Sequence, residues 1–245
     1  MTSILQKLNS FLLSDQKDPW EKKTFWCGSL YDCPRKLYYD RLNLPIQRTI
    51  DTAVIRRLNK GSCIHELFQN YFSKMGIVIS EEEYVKSNEL QVSGKIDNIL
   101  TLDNEPTIVE LKTMDSKDYL HTLPKIEHIW QIHTYMYLKQ IYKGKLFYIF
   151  LDKKSKDNIE LSRTDYNYIS DKDIIEIDIN YEPNIIELIK TKLFSIIRCL
   201  ESKTLPEKDM DKCTFCPYIS ECNLEKNNEL PSKDLASVFE DFLNN

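Results

Sequence analysis

The chain has 245 residues, 42% of them hydrophobic, which is enough for one substantial core, and a formal net charge of −5. That acidic balance excludes a basic coat, so any nucleic-acid binding rests on a local patch. The five glycines form neither a G-x-x-x-x-G-K-[ST] phosphate loop nor a G-x-G-x-x-G turn, which argues against a P-loop motor and a Rossmann dehydrogenase.

In chain order, Ile4, Leu8, Phe11 and Leu12 predict a first short helix with an apolar stripe, ended by Asp18-Pro19-Trp20. Ser29 to Tyr39 predicts a helical segment with Pro34 near its first turn. Residues 51–75 predict a longer helix. On it Ile55, Leu58, Phe68 and Phe72 lie on or near one stripe, His65 falls within the stripe, and Gly61 leaves room for close approach. The β signals occupy residues 77–112: Tyr84-Val85 as an additional strand, 90–100 as one strand, Asp103-Asn104-Glu105-Pro106 as a turn, and Thr107 to Lys112 as the next strand. Residues 125–143 predict an aromatic-rich helix from Ile126 to Tyr142. Lys145 to Leu151 predicts a buried strand, and Asn158 to Ser162 and Ile174 to Ile179 two more. Pro183 opens a helix to about Leu200, with Ile186, Ile189, Leu193 and Ile196 on its stripe. A cysteine-rich loop follows, then a tail with a helical stripe at Leu235, Val238, Phe239 and Phe242, capped by Ser232. This order predicts a mixed sheet flanked by helices, in the α/β class. No run approaches 18 apolar residues, so no membrane span is expected. Seven cysteines, an odd count, with no signal peptide predict a reducing cytoplasm rather than a secreted disulfide scaffold.

Four constellations carry chemistry. In the strand Thr107–Lys112, Glu110 and Lys112 share a face while Leu111 points to the core, and a hairpin brings Asp97 beside Glu110. Two carboxylates with a lysine make a site for Mg²⁺ or Mn²⁺, whose preference is for hard oxygen ligands. The bland alternative is a solvated face of an edge hairpin. His65 is a candidate third ligand, though a histidine on an apolar face is more often a satisfied core residue. Gln131 and Tyr135, four apart on one helix, share a face and read as a clamp on phosphate and sugar, whereas His133 lies well round the helix from Gln131. Cys213-x2-Cys216-x5-Cys222 is a metal signal short of one ligand. Cys33, in a polar Asp-Cys-Pro-Arg turn, is the best fourth, with Cys27 its rival and Cys63 and Cys199 read as core thiols. An iron–sulfur cluster suits one remote cysteine plus a tight triplet better than zinc, which usually takes two short pairs. Finally, Arg35, Lys36, Arg41, Arg48, Arg56, Arg57 and Lys60 face only Asp40 and Asp51 between residues 33 and 60. That stretch is either a solvated helical face or a phosphate track leading to His65.

The ordered set Cys33-Pro34-Arg35, His65, Gly94-x-x-Asp97, Glu110-x-Lys112, Gln131-x3-Tyr135 and Cys213-x2-Cys216-x5-Cys222 resembles the RecB-type nucleases of the PD-(D/E)XK superfamily that carry an iron–sulfur cluster. The nearest resemblance is to the Cas-four exonucleases of CRISPR systems and their phage or viral relatives, over about residues 29–224. It implies a restriction-endonuclease-like core at about 50–205 and an iron–sulfur subdomain built from 25–45 and 205–225, within a single nuclease domain of residues 1–245. The tail, 226–245, has no counterpart. His65, Asp97, Glu110 and the Leu111 carbonyl would bind Mg²⁺ or Mn²⁺, and Lys112 would position or activate the attacking water. Gln131 and Tyr135 would contact DNA or steady the site. Cys33, Cys213, Cys216 and Cys222 would hold a [4Fe-4S] cluster, and Arg35, Lys36, Arg56, Arg57 and Lys60 would line the DNA path, with Tyr38 and Tyr39 as candidate base-stacking residues. Gly-Lys-Ile-Asp here replaces a literal Pro-Asp. The implied activity is a DNA exonuclease acting on single strands or ends in recombination, repair, replication or CRISPR adaptation, in a prokaryote or encoded by a virus or phage. A helicase or a CRISPR integrase is the implied partner. The alternative is a non-catalytic DNA-binding or scaffolding subunit.

Overall fold

The computed structural model describes residues 3–15, 21–46, 51–114, 123–151, 166–171, 173–214 and 216–224. In order they form α1 (Ile4–Ser14), β1 (Phe25–Trp26), a 3₁₀ turn (Cys27–Ser29), α2 (Pro34–Arg41), α3 (Thr52–Met75), β2 (Val78–Ser87), β3 (Val92–Leu102) and β4 (Glu105–Met114). Then come α4 (Ile126–Lys139), β5 (Lys143–Phe150), β6 (Tyr168–Asp171), β7 (Ile174–Asn180), α5 (Pro183–Ser202), a second 3₁₀ turn (Met210–Lys212) and α6 (Ile219–Leu224).

Local chemistry sets the ends of these elements. Asp51 caps α3 by accepting the Ala53 N–H at 3.0 Å, and Gly76, at φ 71°, closes the helix in the left-handed conformation. Gln140 takes the same conformation at φ 54° and ends α4 at Lys139, earlier than the predicted Tyr142. The β3–β4 connection is tighter than the predicted four-residue turn. Asp103 and Asn104 both have positive φ, 51° and 64°, the twist a two-residue hairpin needs.

The mixed sheet runs β1-β3-β4-β5-β7-β6, with β2 on the other side of β3. β2 pairs along β3 from Val92 to Leu100, so β4 and β1 must share the opposite edge. β4 pairs from Leu102↔Glu105 to Asn98↔Val109 and there parts from β3, while β1 pairs only at Val92 and Ser93. Between them, the edge from Gly94 to Asp97 has no strand partner among the described residues.

Hydrophobic clusters cover the two faces. The larger joins Ile96, Ile99, Ile108 and Leu146 of the sheet to Ile132 and Tyr135 of α4 and to Ile186, Leu193 and Ile196 of α5. The smaller joins Leu100, Val109, Leu111 and Ile149 to Phe72, Phe68 and Ile64 of α3. Among the described residues no helix is long and apolar enough to cross a membrane.

Several expectations are corrected. The α1 stripe is largely solvent-exposed, with only Leu12 buried, because α1 lies on α3 rather than on the core; Leu58 of α3 is exposed too. Tyr38 and Tyr39 are buried and pack edge-on to one another, with Tyr39 also against Tyr218, so base stacking is not their role. Cys63 is exposed rather than a core thiol. β1 was not predicted because two residues carry no periodicity, and β6 because it is exposed on both faces. The predicted strand at Asn158–Ser162, the helix end at Asp18-Pro19-Trp20, Arg48 and the tail helix lie outside the described residues.

At Gly94 a Cβ would stand 2.7 Å from the Tyr135 ring and 2.8 Å from both Cβ and Sγ of Cys27. Gly94→Ala is expected to lose about 1–3 kcal/mol in urea unfolding through overpacking. Gly28→Ala, whose nearest contacts begin at 3.4 Å, is expected to behave as wild type. Equal stability of the two variants would contradict this packing.

Candidate active site

The site forms where β4 leaves β3. Asp97 Oδ2 accepts the Leu111 N–H at 2.8 Å, taking over from the ladder that ends one residue earlier. Leu111 itself stays in register with Phe147 of β5, its side chain in the smaller core. The alternation of β4 then turns Glu110 and Lys112 together towards α4. Lys112 Nζ donates to Glu110 Oε1 and to Gln131 Oε1, both at 2.8 Å. Gln131 Nε2 donates to Glu110 Oε1 at 2.6 Å and to the Tyr135 hydroxyl at 3.2 Å, and the Tyr135 hydroxyl donates to the Lys95 carbonyl at 3.0 Å. From the opposite face of the sheet, α3 brings His65 Nδ1 to 3.6 Å from Asp97 Oδ1.

Sequence spacing thus located a cluster that the structure assembles: His65, Asp97, Glu110, Lys112, Gln131 and Tyr135. Gln131 is 7% exposed and Tyr135 0%, and their hydrogen bonds fix Glu110 and Lys112, which fits the steadying alternative better than a clamp on phosphate and sugar. His133 is outside the cluster, buried with Nδ1 2.8 Å from the Ile129 carbonyl. Sequence reasoning weighed Cys27 only as a rival thiol ligand and did not single out Trp26. The 3₁₀ turn fits beneath residue 94 only because that residue is glycine, a constraint visible only once the fold is known.

Glu110 is 3% exposed, and its pKa is pushed up from 4.5 to about 7 by burial first and by Asp97 second, against the pull of Lys112 and His65. Its two oxygens differ: Oε1 accepts two donors, while Oε2 is buried with no hydrogen-bond partner. Such an oxygen is satisfied by a proton or by a cation. Burial lowers the His65 pKa, but the Asp97 hydrogen bond and the Asp97 and Glu110 charges outweigh it and leave it raised. Among the described residues no three His, Cys, Asp or Glu side chains already stand in ligating positions. The donors available are His65, Asp97 and Glu110 Oε2, two hard oxygens and one imidazole, which suits Mn²⁺ or Mg²⁺.

A second cluster lies at the N-terminal end of α2, where Cys33 is the cap residue. Cys33, Cys213, Cys216 and Cys222 line one pocket together with Arg35, Lys36, Lys208 and Lys212. The Asp209 N–H donates to Cys33 Sγ at 3.4 Å, and Arg35 Nη1 stands 3.7 Å from Cys222 Sγ. Cys216 senses Cys33 and Cys222, and burial raises its pKa. Cys27 is elsewhere, fully buried under Gly94. Two lysines join the segments that meet here: Lys192 of α5 donates to the Leu30 carbonyl at 2.9 Å, and Lys212 donates to that of Tyr31 while lying over its ring.

The predicted basic track is not one surface. Arg35 Nε donates to the Pro206 carbonyl at 3.0 Å beside the thiols. Lys36 pairs with Asp32 and Asp40, and buried Arg41 bonds the Lys22 carbonyl and Gln91. Arg56 donates to Asn9 of α1, while Arg57 and Lys60 are exposed on α3.

The fold is similar to that of SSO0001, with a TM-score of 0.55 and 18% identity over 90% of this chain and 96% of that one. It is also similar to LHK-Exo, an alkaline exonuclease from Laribacter hongkongensis (TM-score 0.52, 14% identity, 75% of this chain and 90% of that one). A phage-related exonuclease from Haemophilus somnus 129PT gives a TM-score of 0.52 at 14% identity, over 74% of this chain and 96% of that one. No curated protein matches the sequence. The family description of the PD-(D/E)XK nuclease superfamily matches residues 74–223, more than half of the chain and all of the strand, α4 and cysteine elements described above except those of the N-terminal segment and α3. The chain belongs to the PD-(D/E)XK nuclease superfamily.

The pKa of Glu110 makes a signed prediction. The unfolded chain releases this proton near 4.5 and the folded chain near 7, so the folded state binds more protons between those values. Metal-free stability therefore falls as pH rises through that window. In EDTA, the melting temperature of the wild type is expected to drop relative to Glu110→Gln between pH 5 and pH 8. Parallel curves would mean that Glu110 ionises at its ordinary pKa.

Proposed function

We propose that this chain is a metal-dependent deoxyribonuclease that works as an exonuclease on single-stranded DNA or DNA ends. The observation that carries the reading is the cluster at the parting of β3 and β4, where Asp97, Glu110 and Lys112 meet beside an unpartnered carboxylate oxygen. His65, Asp97 and Glu110, with the Leu111 carbonyl, would hold the cation. When bound, Mg²⁺ or Mn²⁺ supplies Lewis-acid polarisation of the phosphodiester and a water of lowered pKa. Lys112, tied to Glu110 and Gln131, keeps its ammonium at a fixed point, where it offsets negative charge developing on the phosphoryl oxygens. Gln131 and Tyr135 position Glu110 through its Oε1.

The thiol pocket supports a [4Fe-4S] cluster as the second cofactor. Four cysteines meet among cations that offset thiolate charge, and a backbone N–H already points at one sulfur. The cluster would tie the segment before α2 to the loop after α5, making residues 25–45 and 205–225 one subdomain of a single nuclease domain.

Three measurements test this. Glu110→Ala or Lys112→Ala should lower cleavage at least about 10²-fold with Mg²⁺ or Mn²⁺ while DNA binding persists; wild-type rates would refute the site. Covalently closed single-stranded circles should resist cutting while linear strands of the same sequence are degraded, and equal rates would make the enzyme an endonuclease. Anaerobically purified protein should be brown, with iron and acid-labile sulfide each at about four per chain. Stoichiometric zinc without sulfide would replace the cluster with a zinc site.

A further inference from the structure

A groove that shares only Lys36 with the lining of the thiol pocket runs along the start of β3. It encloses about 520 Å³ and is lined by Lys22, Lys23 and Lys86, with Trp26 and Tyr84 between them. Thr24, Ser29 and Ser93 add hydroxyls. Lys36 of α2 is the one lining cation that belongs to the basic stretch read from the sequence; Lys22 and Lys23 stand just before β1, and Trp26 of β1 and Tyr84 and Lys86 of β2 reach the groove from opposite edges of β3.

The composition is that of a single-strand binding surface: cations for phosphates and two aromatic rings, Tyr84 exposed and Trp26 half-buried, for bases. Tyr84 is 57% exposed, and Lys86 is exposed beside it on the same strand. Two acids also line the groove, Glu21 and Asp40. Asp40 is neutralised by ion pairs with Lys22 and Lys36 and a 2.9 Å hydrogen bond from Tyr218. Glu21 pairs with Lys23 at 3.2 Å, with both side chains more than half exposed, and a phosphate competes readily with such a pair.

The groove leads to the site. Trp26 and Gln131 flank the same glycine: a Cβ on Gly28 would be 3.4 Å from the Trp26 ring and 3.7 Å from Gln131 Nε2. Lys86 and Tyr84 are the register partners of Ser93 and Lys95, and from Ser93 to Asp97 is about 13 Å at roughly 3.3 Å per strand residue. A strand lying in the groove therefore reaches Asp97 within a few nucleotides.

We propose that this groove binds the single strand on one side of the scissile phosphate, with Lys23 and Lys86 on phosphates and Tyr84 and Trp26 against bases. The proposal rests on the nuclease reading for its substrate but is measured without cleavage. A fluorescent oligothymidine is titrated in EDTA at several salt concentrations, against wild type, Lys23→Ala/Lys86→Ala and Tyr84→Ala. Hydrolysis of bis(p-nitrophenyl) phosphate with Mn²⁺, an ester too small to reach the groove, is followed in parallel. The double lysine variant is expected to bind about tenfold more weakly, with a salt slope shallower by about 1.4, the release from two phosphates of a single strand. Tyr84→Ala is expected to weaken the single strand about tenfold and leave a blunt duplex unchanged. All three proteins should hydrolyse the small ester equally. Unchanged affinity and slope overturn the proposal, and so does equal loss on single strand and duplex. A wild type that binds the oligonucleotide through these residues yet hydrolyses neither ester nor DNA would overturn the nuclease reading and leave the groove standing.

Discussion

One hydrogen bond sets the geometry of the candidate site: the carboxylate of Asp97 accepting the N–H of Leu111. Two strands that stop pairing inside a core leave backbone donors to be satisfied, and an orphaned one costs about 1–3 kcal/mol. Asp97 satisfies the first of them with a side chain, so β4 can turn away from β3 and still run in register with β5. Into the gap come the Cys27–Ser29 turn and the buried end of Tyr135. The same carboxylate offers its other oxygen to His65. A strand-parting residue and a candidate metal ligand are thus one residue.

Around that opening the charges are arranged to be held at fixed points. Glu110 Oε1 is saturated by Lys112 and Gln131, and Gln131 is in turn fixed by Tyr135. Oε2 alone is left over. Rigid donors on one oxygen and none on the other make the buried carboxylate a directional ligand, at the cost of a pKa raised by desolvation. The thiol pocket obeys a different logic. Its sulfurs come from distant parts of the chain, and besides the packing of Tyr218 and Cys222 in the larger core, lysines reaching backbone carbonyls, Lys192 and Lys212, join the segments that carry them.

Most of the fold was legible because its elements carry strong periods: the α5 stripe at Ile186, Ile189, Leu193, Ile196 and Leu200 is buried throughout. The cluster of Asp97, Glu110 and Lys112 was legible because strand alternation fixes which side chains share a face. What was not legible depends on contacts between remote segments. The α1 stripe has helical spacing but faces solvent, since periodicity reveals a face and not what covers it. Tyr38 and Tyr39 look like stacking residues in a basic stretch, yet Tyr218, 178 or more residues away from Asp40 and its neighbours, closes over them. Lys22, Lys23 and Lys86 of the β3 groove escaped because they stand before β1 and on β2, far apart in sequence, and converge only through strand register.

The two apolar clusters differ in size, and the smaller one, holding α3, carries a consequence for motion. Long as it is, α3 buries only Ile55 and Phe72 fully, and its far side is open to solvent. Regions with few buried apolar contacts open locally at a fraction of the global free energy. Undocking α3 would remove His65 from Asp97 while the sheet, α4 and α5 stay folded. A cation held as proposed would have one ligand on this helix and the others on the sheet, so its affinity would be coupled to the docking equilibrium of a single helix.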